Sequence, residues 1–112
     1  MKRTRMVSML PLACFSIFLA SALGQADDLY KAQCSSCHAM DGSGATAAGK
    51  KLGLVDLRSQ QVQSLSDDEL FKTIAYGVKH KQYPHAFMSR GVTQDQINQL
   101  VAYLRKLPKA KG

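Results

Sequence analysis

The sequence predicts an all-α fold, a single domain of three main helices joined by loops. Two capping boxes, each a serine or threonine followed three residues later by glutamate or glutamine, begin at Ser66 and Thr93. Each box precedes apolar residues that repeat at the three- and four-residue spacing of a helix. Residues 27–112 contain no apolar, β-branched run with the alternation of a strand, which argues against a sheet.

The first helix is predicted to begin at the aspartate pair 27–28, because carboxylates are stabilised at the positive end of the helix dipole. Leu29, Tyr30 and Ala32 would form its inner face. The helix would then run directly into Cys34.

The stretch 40–63 is predicted to be an ordered loop with a short helical turn, wrapped over a pocket. Its first part, residues 41–49, consists of small, turn-forming residues, and no long helical period follows. Four apolar side chains of this loop are expected to line the pocket: Leu52, Leu54, Val55 and Leu57.

The second helix is predicted to begin at the capping box of Ser66 and Glu69 and to end near Gly77, a residue suited to a left-handed C-terminal cap. The third helix follows the box of Thr93 and ends before Pro108. The side chains expected to point inward are Leu70, Phe71, Ile74 and Ala75 in the second helix, and Ile97, Leu100, Val101 and Leu104 in the third, with Tyr103 and Leu107 beside them.

The N-terminal residues have the features of a signal peptide. Basic residues at positions 2, 3 and 5 precede an almost uncharged apolar stretch, 6–23. In Gly24-Gln25-Ala26, small residues then occupy the first and third positions, which a signal peptidase reads, so cleavage is predicted after Ala26. Ala20-Ser21-Ala22 is a second candidate. An uncleaved membrane anchor is the alternative, since the stretch approaches the length of a bilayer span. Pro11 and the small-residue ending favour cleavage.

The predicted boundaries are therefore 1–26 for the signal peptide and 27–112 for one exported, periplasmic domain without a membrane anchor. Cleavage would remove Cys14 and leave Cys34 and Cys37 as the only thiols in an oxidising compartment. Lipoprotein processing at Cys14 fits poorly with the apolar run that follows it. Because so short a domain buries little apolar surface, a large apolar cofactor would be structural as well as functional.

Residues 34–38 read Cys-Ser-Ser-Cys-His, which is the C-x-x-C-H attachment site of a covalent c-type haem. On one helical turn, Cys34 and Cys37 can add to two vinyl groups along one edge of a porphyrin. His38 then lies beneath the iron and offers an imidazole nitrogen as the proximal ligand. One haem c, with its iron, is the predicted cofactor.

Three other chemistries use a similar pair of cysteines. A thioredoxin-like C-x-x-C lies between a strand and a helix, and the sequence predicts no strands to supply that setting. A tetrahedral zinc site would have to recruit His80 and His85, which lie much farther along the chain than the ligands of a zinc finger. A disulfide across two residues would close too small a loop to add much stability.

The chain carries a mild excess of positive charge. The formal net charge is +7, and removing the three basic residues of the leader leaves +4 for residues 27–112. No dense basic run of the kind that binds nucleic acid is present. The excess is either a solvated basic surface or a means of steering toward an acidic redox partner.

Together these residues resemble the class I c-type cytochrome family, small single-haem electron carriers of the bacterial periplasm. The resemblance covers Tyr30, residues 34–38, the following Asp-Gly-Ser-Gly at 41–44, and the terminal helix 93–107. It implies a cytochrome c-like fold, with the first and last helices crossing near the haem. It also implies that Tyr30 packs against the face that bears Leu100 and Tyr103.

The sixth ligand departs from the family pattern, in which a methionine, often followed by proline, precedes the last helix. Here Pro84 follows a tyrosine, and Met88 is the only methionine in the matching segment. Met88 is the predicted ligand and His85 the alternative, leaving His80 or an open site as further options. A thioether favours ferrous iron more than imidazole does, so the ligand affects the reduction potential.

The predicted function is one-electron transfer between periplasmic or membrane-bound redox proteins, by a monomer without catalytic residues. Lys79, Lys81 and Arg90, near the sixth-ligand segment, and residues 50–51 in the loop, both lysine, are candidate partner contacts. One alternative is a ligand sensor or small haem catalyst with a labile sixth position. Another is an electron-transfer subunit dedicated to one enzyme.

Overall fold

The computed structural model describes residues 20–79 and 85–111. No residue in these two ranges lies in a strand, and the all-α prediction is confirmed. The elements in chain order are α1 (Ala20–Gln33), α2 (Ser35–His38), α3 (Ala47–Leu52), α4 (Gln60–Gln63), α5 (Asp67–Tyr76), a 3₁₀ turn (Phe87–Arg90) and α6 (Gln94–Arg105). The three longest, α1, α5 and α6, correspond to the three predicted main helices.

The predicted start of the first helix is wrong, since α1 begins at Ala20 and not at the aspartate pair. Residues 20–26 are rich in alanine, which has the highest helix propensity and extends the helix toward the N-terminus. The inner face is also corrected. Tyr30 is 1% exposed and Ala26 4% exposed, whereas Ala32 points outward, because positions four apart share a helix face and positions two apart do not.

Helix α1 packs against α6, as the resemblance implied. Tyr30 forms a buried cluster with Leu100 and Leu104. Its ring lies 4.7 Å from the ring of Tyr103, centroid to centroid, at an angle of 31°. The predicted contact of Tyr30 with Tyr103 and Leu100 is therefore confirmed, and the first and last helices form one side of the domain.

Both predicted capping boxes are present. At the start of α5, the Glu69 backbone N–H donates to the Ser66 hydroxyl at 3.1 Å, and the Glu69 carboxylate accepts from the Ser66 backbone N–H at 2.9 Å. Gly77 ends this helix with a φ of 71°, as its sequence position indicated. The four apolar residues predicted to point inward from α6 are all buried: Ile97, Leu100, Val101 and Leu104. In α5, Leu70 and Ala75 are buried, while Phe71 and Ile74 are half-buried.

A single arginine ties α6 to the segment that leads into α5. The Arg105 guanidinium donates to the backbone carbonyl of Gln63 at 2.8 Å and to that of Leu65. It also donates to the Asp67 carboxylate at 2.9 Å. Because a planar guanidinium can satisfy several acceptors at once, this one side chain fixes α6 relative to α5.

The stretch 40–63 contains two short helices, α3 and α4, where the sequence predicted a loop with one helical turn. Helix α3 packs directly on α2. The Thr46 hydroxyl caps α3 by accepting from the Gly49 N–H at 2.8 Å, and it donates to the Cys37 carbonyl at 2.7 Å. A Cβ added at Gly49 would collide with the backbone carbonyls of Cys37 and Gly44, so only glycine allows this close approach.

The turn after α2 has an unfavourable backbone conformation at Ala39, with φ 63° and ψ 163°. This region is normally occupied by glycine. The Ala39 N–H donates to the Ser35 carbonyl at 2.9 Å. The Ala39 carbonyl accepts from the Tyr30 hydroxyl at 2.8 Å. These two contacts hold Ala39 in place although its side chain disfavours the conformation.

We therefore expect Ala39→Gly to raise the free energy of unfolding by about 1 kcal/mol, because relief of the strain exceeds the extra entropy that glycine loses on folding. Urea unfolding of the purified protein measures the change. Ala45→Gly is the matched control, since Ala45 is a loop alanine without a positive φ, and it should lower stability slightly. Equal effects of the two substitutions would contradict the strain at Ala39.

Candidate haem site

An apolar cavity of about 820 Å³ lies between α1, α2, α5, α6 and the stretch 52–65, which contains the end of α3 and all of α4. The four loop residues predicted to line a pocket all line this cavity: Leu52, Leu54, Val55 and Leu57. Leu70 and Ile74 of α5 and Leu100 and Leu104 of α6 supply the facing walls. The inner faces of the helices therefore enclose one space that suits a large flat apolar group.

Cys34, Cys37 and His38 all line this cavity from one side. Cys34 is the N-cap of α2, and the other two residues lie within that helix. Backbone hydrogen bonds from the N–H groups of Cys37 and His38 to the Cys34 carbonyl, at 3.2 and 2.9 Å, close the turn. A single helical turn thus presents two thiols and an imidazole to the same apolar space, the arrangement that the motif predicted.

This side of the cavity favours uncharged groups. Burial, and then the neighbouring Cys37, raises the pKa of the Cys34 thiol to about 11. Burial also raises the pKa of the Tyr30 hydroxyl, which lies beside it. Both groups are therefore neutral at physiological pH, as expected for groups beside an apolar cavity.

The opposite side of the cavity is supplied by the segment before α6. His85 lines the cavity, and its ring centroid lies 6.0 Å from that of His38 with an interplanar angle of 30°. The buried ring of Phe87 stacks on His85, at 5.7 Å between centroids and 22° between planes. Met88, the ligand predicted from the sequence, is 36% exposed and is not among the side chains that line the cavity. His80 and Lys81 lie outside the described residues.

The charged side chains along this cavity are cationic. Lys79 and Arg90 line it, and within the described ranges no carboxylate does. Arg90 also lies over the Phe87 ring, with its guanidinium carbon 5.1 Å from the ring centroid. Two cations beside an apolar cavity would suit a flat apolar ligand that carries carboxylates at its edge.

Residues 21–104 match the family model described as "Cytochrome C oxidase, cbb3-type, subunit III". The chain belongs to this family of c-type cytochrome domains. The family carries out haem-based electron transfer with a covalent haem c and its iron, through redox partners. A comparison with curated proteins returned no match.

The residues of this cytochrome c domain fit a haem. The C-x-x-C-H turn, the apolar walls and the cationic edge correspond to the vinyl groups, the macrocycle and the propionates of the porphyrin. Within residues 20–79 and 85–111, no three His, Cys, Asp or Glu side chains gather as a site for a bare metal ion. No helix in the same ranges combines the length and apolar character needed to span a bilayer.

Sequence reasoning missed parts of the site that depend on tertiary structure. Lys79 and Arg90 were interpreted as partner contacts, but both line the cavity. The sequence assigned no role to Phe87, which is buried and stacks on His85. Its large aromatic side chain was the available signal that it faces the interior.

An ion-pair cluster around Arg58 holds the loop that covers the cavity of the cytochrome. The Arg58 guanidinium donates to both oxygens of the Asp56 carboxylate, at 3.0 and 2.9 Å, and lies 3.6 Å from the Asp41 carboxylate. The hydrogen bonds from Arg58 lower the pKa of Asp56. Hydrogen bonds from Ser43, with a smaller contribution from Arg58, lower the pKa of Asp41.

These pKa shifts predict loss of stability in acid. A carboxylate whose pKa is lower in the folded state stabilises the fold above its unfolded pKa of about 3.9, and this contribution disappears as the pH falls through the folded pKa. We expect Asp56→Asn to lower stability at about pH 7 and to reduce the difference in urea midpoint between about pH 7 and about pH 3. An unchanged pH difference in the variant would show that Asp56 does not contribute to it.

Proposed function

We propose that this chain is a one-electron carrier with a single haem c, linked through Cys34 and Cys37 and ligated by His38. The main support for this proposal is that these three side chains line one apolar cavity of about 820 Å³ from a single helical turn. When bound, the haem supplies an iron that alternates between ferrous and ferric states. No catalytic residue is assigned.

The protein residues would serve this reaction by keeping the site rigid and dry. Apolar side chains from α5, α6 and the covering loop exclude water from the cavity, which limits the solvent rearrangement that accompanies a change of charge. Arg90 would neutralise a haem carboxylate, and Lys79, whose ammonium also lies 3.6 Å from the Glu69 carboxylate, would contribute to the same charge balance. The sixth ligand would come from the segment 85–90, which contains both candidates, Met88 and His85.

We further propose that residues 1–26 are a signal peptide and that residues 27–112 form a monomeric periplasmic domain without a membrane anchor. The basic start, the apolar stretch and the small residues before position 27 support export. Cleavage after Ala26 would leave a shortened α1 that retains Tyr30 and its contacts with α6.

An acidic redox protein is the proposed partner. Residues 27–112 carry a net charge of +4, and the lysine pair 50–51 is exposed in the last turn of α3. Interfaces of transient redox complexes are small, so electrostatic steering would set the association rate more than buried area does.

A second candidate is an electron-transfer subunit dedicated to one enzyme. The description of the matching family, which names a subunit of a cbb3-type oxidase, favours it. Affinity purification of the tagged chain, expressed at its native level and extracted in mild detergent, distinguishes the free carrier from the dedicated subunit. Stoichiometric recovery of an oxidase would support the subunit, and recovery of the haem protein alone would support the carrier.

Cysteine variants test the haem link. Produced together with a haem-ligation apparatus, the chain should be red and its mass should exceed that of the polypeptide by one haem. Cys34→Ser and Cys37→Ser should each retain at most one thioether link, visible as a shifted haemochrome band, and the double variant should lose covalent haem. Ser36→Ala, which changes a hydroxyl in the same turn, is the control and should retain both links. A colourless wild-type protein of bare polypeptide mass would disprove the proposal.

Salt dependence tests the partner. Reduction by a negatively charged redox protein should slow several-fold as ionic strength rises, because salt screens the attraction between opposite charges. Replacing both lysines at 50–51 by glutamine should lower the rate at low salt and flatten this dependence. The matched control replaces Lys109 and Lys111, which removes the same charge from the C-terminal segment. A salt-independent rate, or equal effects of the two pairs, would rule out steering by residues 50–51.

A further inference from the structure

We infer that His85, and not the methionine usual in this family's sixth-ligand segment, is the axial partner of His38. The inference rests on the proposed function, since it concerns the residue that faces the haem iron from the side opposite His38. Three independent observations carry it: the separation of the two imidazoles, the support beneath His85 and the exposure of Met88.

The separation of the two imidazoles suits ligation of a single metal ion. The centroids of the His38 and His85 rings lie 6.0 Å apart, and both rings line the same cavity. A metal–imidazole bond of about 2 Å on each side places the two nitrogens about 4 Å apart and the ring centroids about 6 Å apart. The distance between the two ring centres therefore matches the distance expected for ligation of one iron by both imidazoles.

The buried ring of Phe87 holds the His85 ring in this position. Phe87 is 5% exposed and stacks on His85, and the guanidinium carbon of Arg90 lies over the Phe87 ring, 5.1 Å from its centroid. The Val92 N–H donates to the Phe87 carbonyl at 3.1 Å, which anchors this residue just before α6. A buried aromatic ring fixed to the backbone in this way makes His85 a preorganised ligand.

The residue between His85 and Phe87 has an unusual backbone conformation. Ala86 has φ 45° and ψ 40°, a left-handed conformation unusual for a residue with a side chain. The Ala86 carbonyl accepts from the Ser89 hydroxyl at 2.7 Å and from the Ser89 N–H at 3.1 Å, which closes the 3₁₀ turn. The unusual turn is stabilised by its own hydrogen bonds, and it allows both rings to lie on the interior side.

The same turn directs Met88 away from the cavity. Met88 follows Phe87 in the 3₁₀ turn and is 36% exposed. Because neighbouring residues of a helical turn point in different directions, the turn that buries Phe87 leaves the Met88 side chain outside the cavity lining. The chain thus offers an imidazole where the family pattern places a thioether.

Spectroscopy of the ferric holoprotein distinguishes the two ligands. We expect the wild type to be low-spin without the weak far-red charge-transfer band of a sulfur–iron bond. His85→Ala should become high-spin or bind carbon monoxide readily in the ferrous state, and added imidazole should restore the low-spin spectrum. Met88→Ala and the control His80→Ala should keep the wild-type spectrum. The reduction potential of the wild type should lie below that of a His85→Met variant that binds iron through sulfur.

A sulfur–iron band in the wild type, loss of the low-spin state in Met88→Ala, or an unchanged spectrum in His85→Ala would each overturn the inference. Covalent haem is scored separately by mass, since none of these substitutions touches Cys34, Cys37 or His38. Wild-type protein without covalent haem would instead disprove the proposed function, so the two failures are distinguishable.

Chemical oxidation gives a second readout without a substitution. An exposed, unligated Met88 should be converted to the sulfoxide by mild peroxide as readily as the exposed Met40, with no change in the haem spectrum. Peptide mass mapping measures the extent of oxidation at both positions. Protection of Met88 relative to Met40, or loss of the low-spin spectrum in step with Met88 oxidation, would identify sulfur as the ligand.

Discussion

The rest of the structure depends on the need to fill one apolar cavity and to shield its lining from water. Leucines from α5, α6 and the covering loop face a common space, and Tyr30, which packs against Leu100 and Leu104, lines it as well. In so short a chain, the hydrophobic effect can favour folding strongly only if a large apolar group shares the interior. A covalently attached porphyrin would provide that surface, so the binding site and the hydrophobic core are the same part of the molecule.

The attachment turn is held by contacts from two helices, α1 and α3, which explains how so short a helix as α2 can be well positioned. Helix α1 leads into it and sends the Tyr30 hydroxyl to the Ala39 carbonyl. Helix α3 approaches it through Gly49 and caps it through the hydrogen bond from Thr46 to the Cys37 carbonyl. A four-residue helix has little stability of its own, so these tertiary contacts determine where the two thiols and the imidazole point.

The sequence was sufficient for the features that local patterns encode. The two capping boxes, the buried stripe of α6 and the four pocket residues of the loop could be predicted because each depends on spacing within a short segment. The start of α1 could not, since the aspartate pair is a plausible helix start and only the alanine-rich residues before it extend the helix. The sequence named both Met88 and His85 as candidate ligands but could not decide between them, because the direction of each side chain depends on the left-handed backbone at Ala86, which is rare for alanine.

The continuity of α1 across Ala26 has a consequence for the order of maturation. In the folded chain, Ala26 lies inside a helix and is 4% exposed, whereas peptidases cut exposed, flexible segments. If residues 1–26 are removed as proposed, the scissile bond must be cut before this helix docks. Removal of residues 1–26 would then precede tertiary folding. The polypeptide would cross the membrane unfolded and would fold only afterwards.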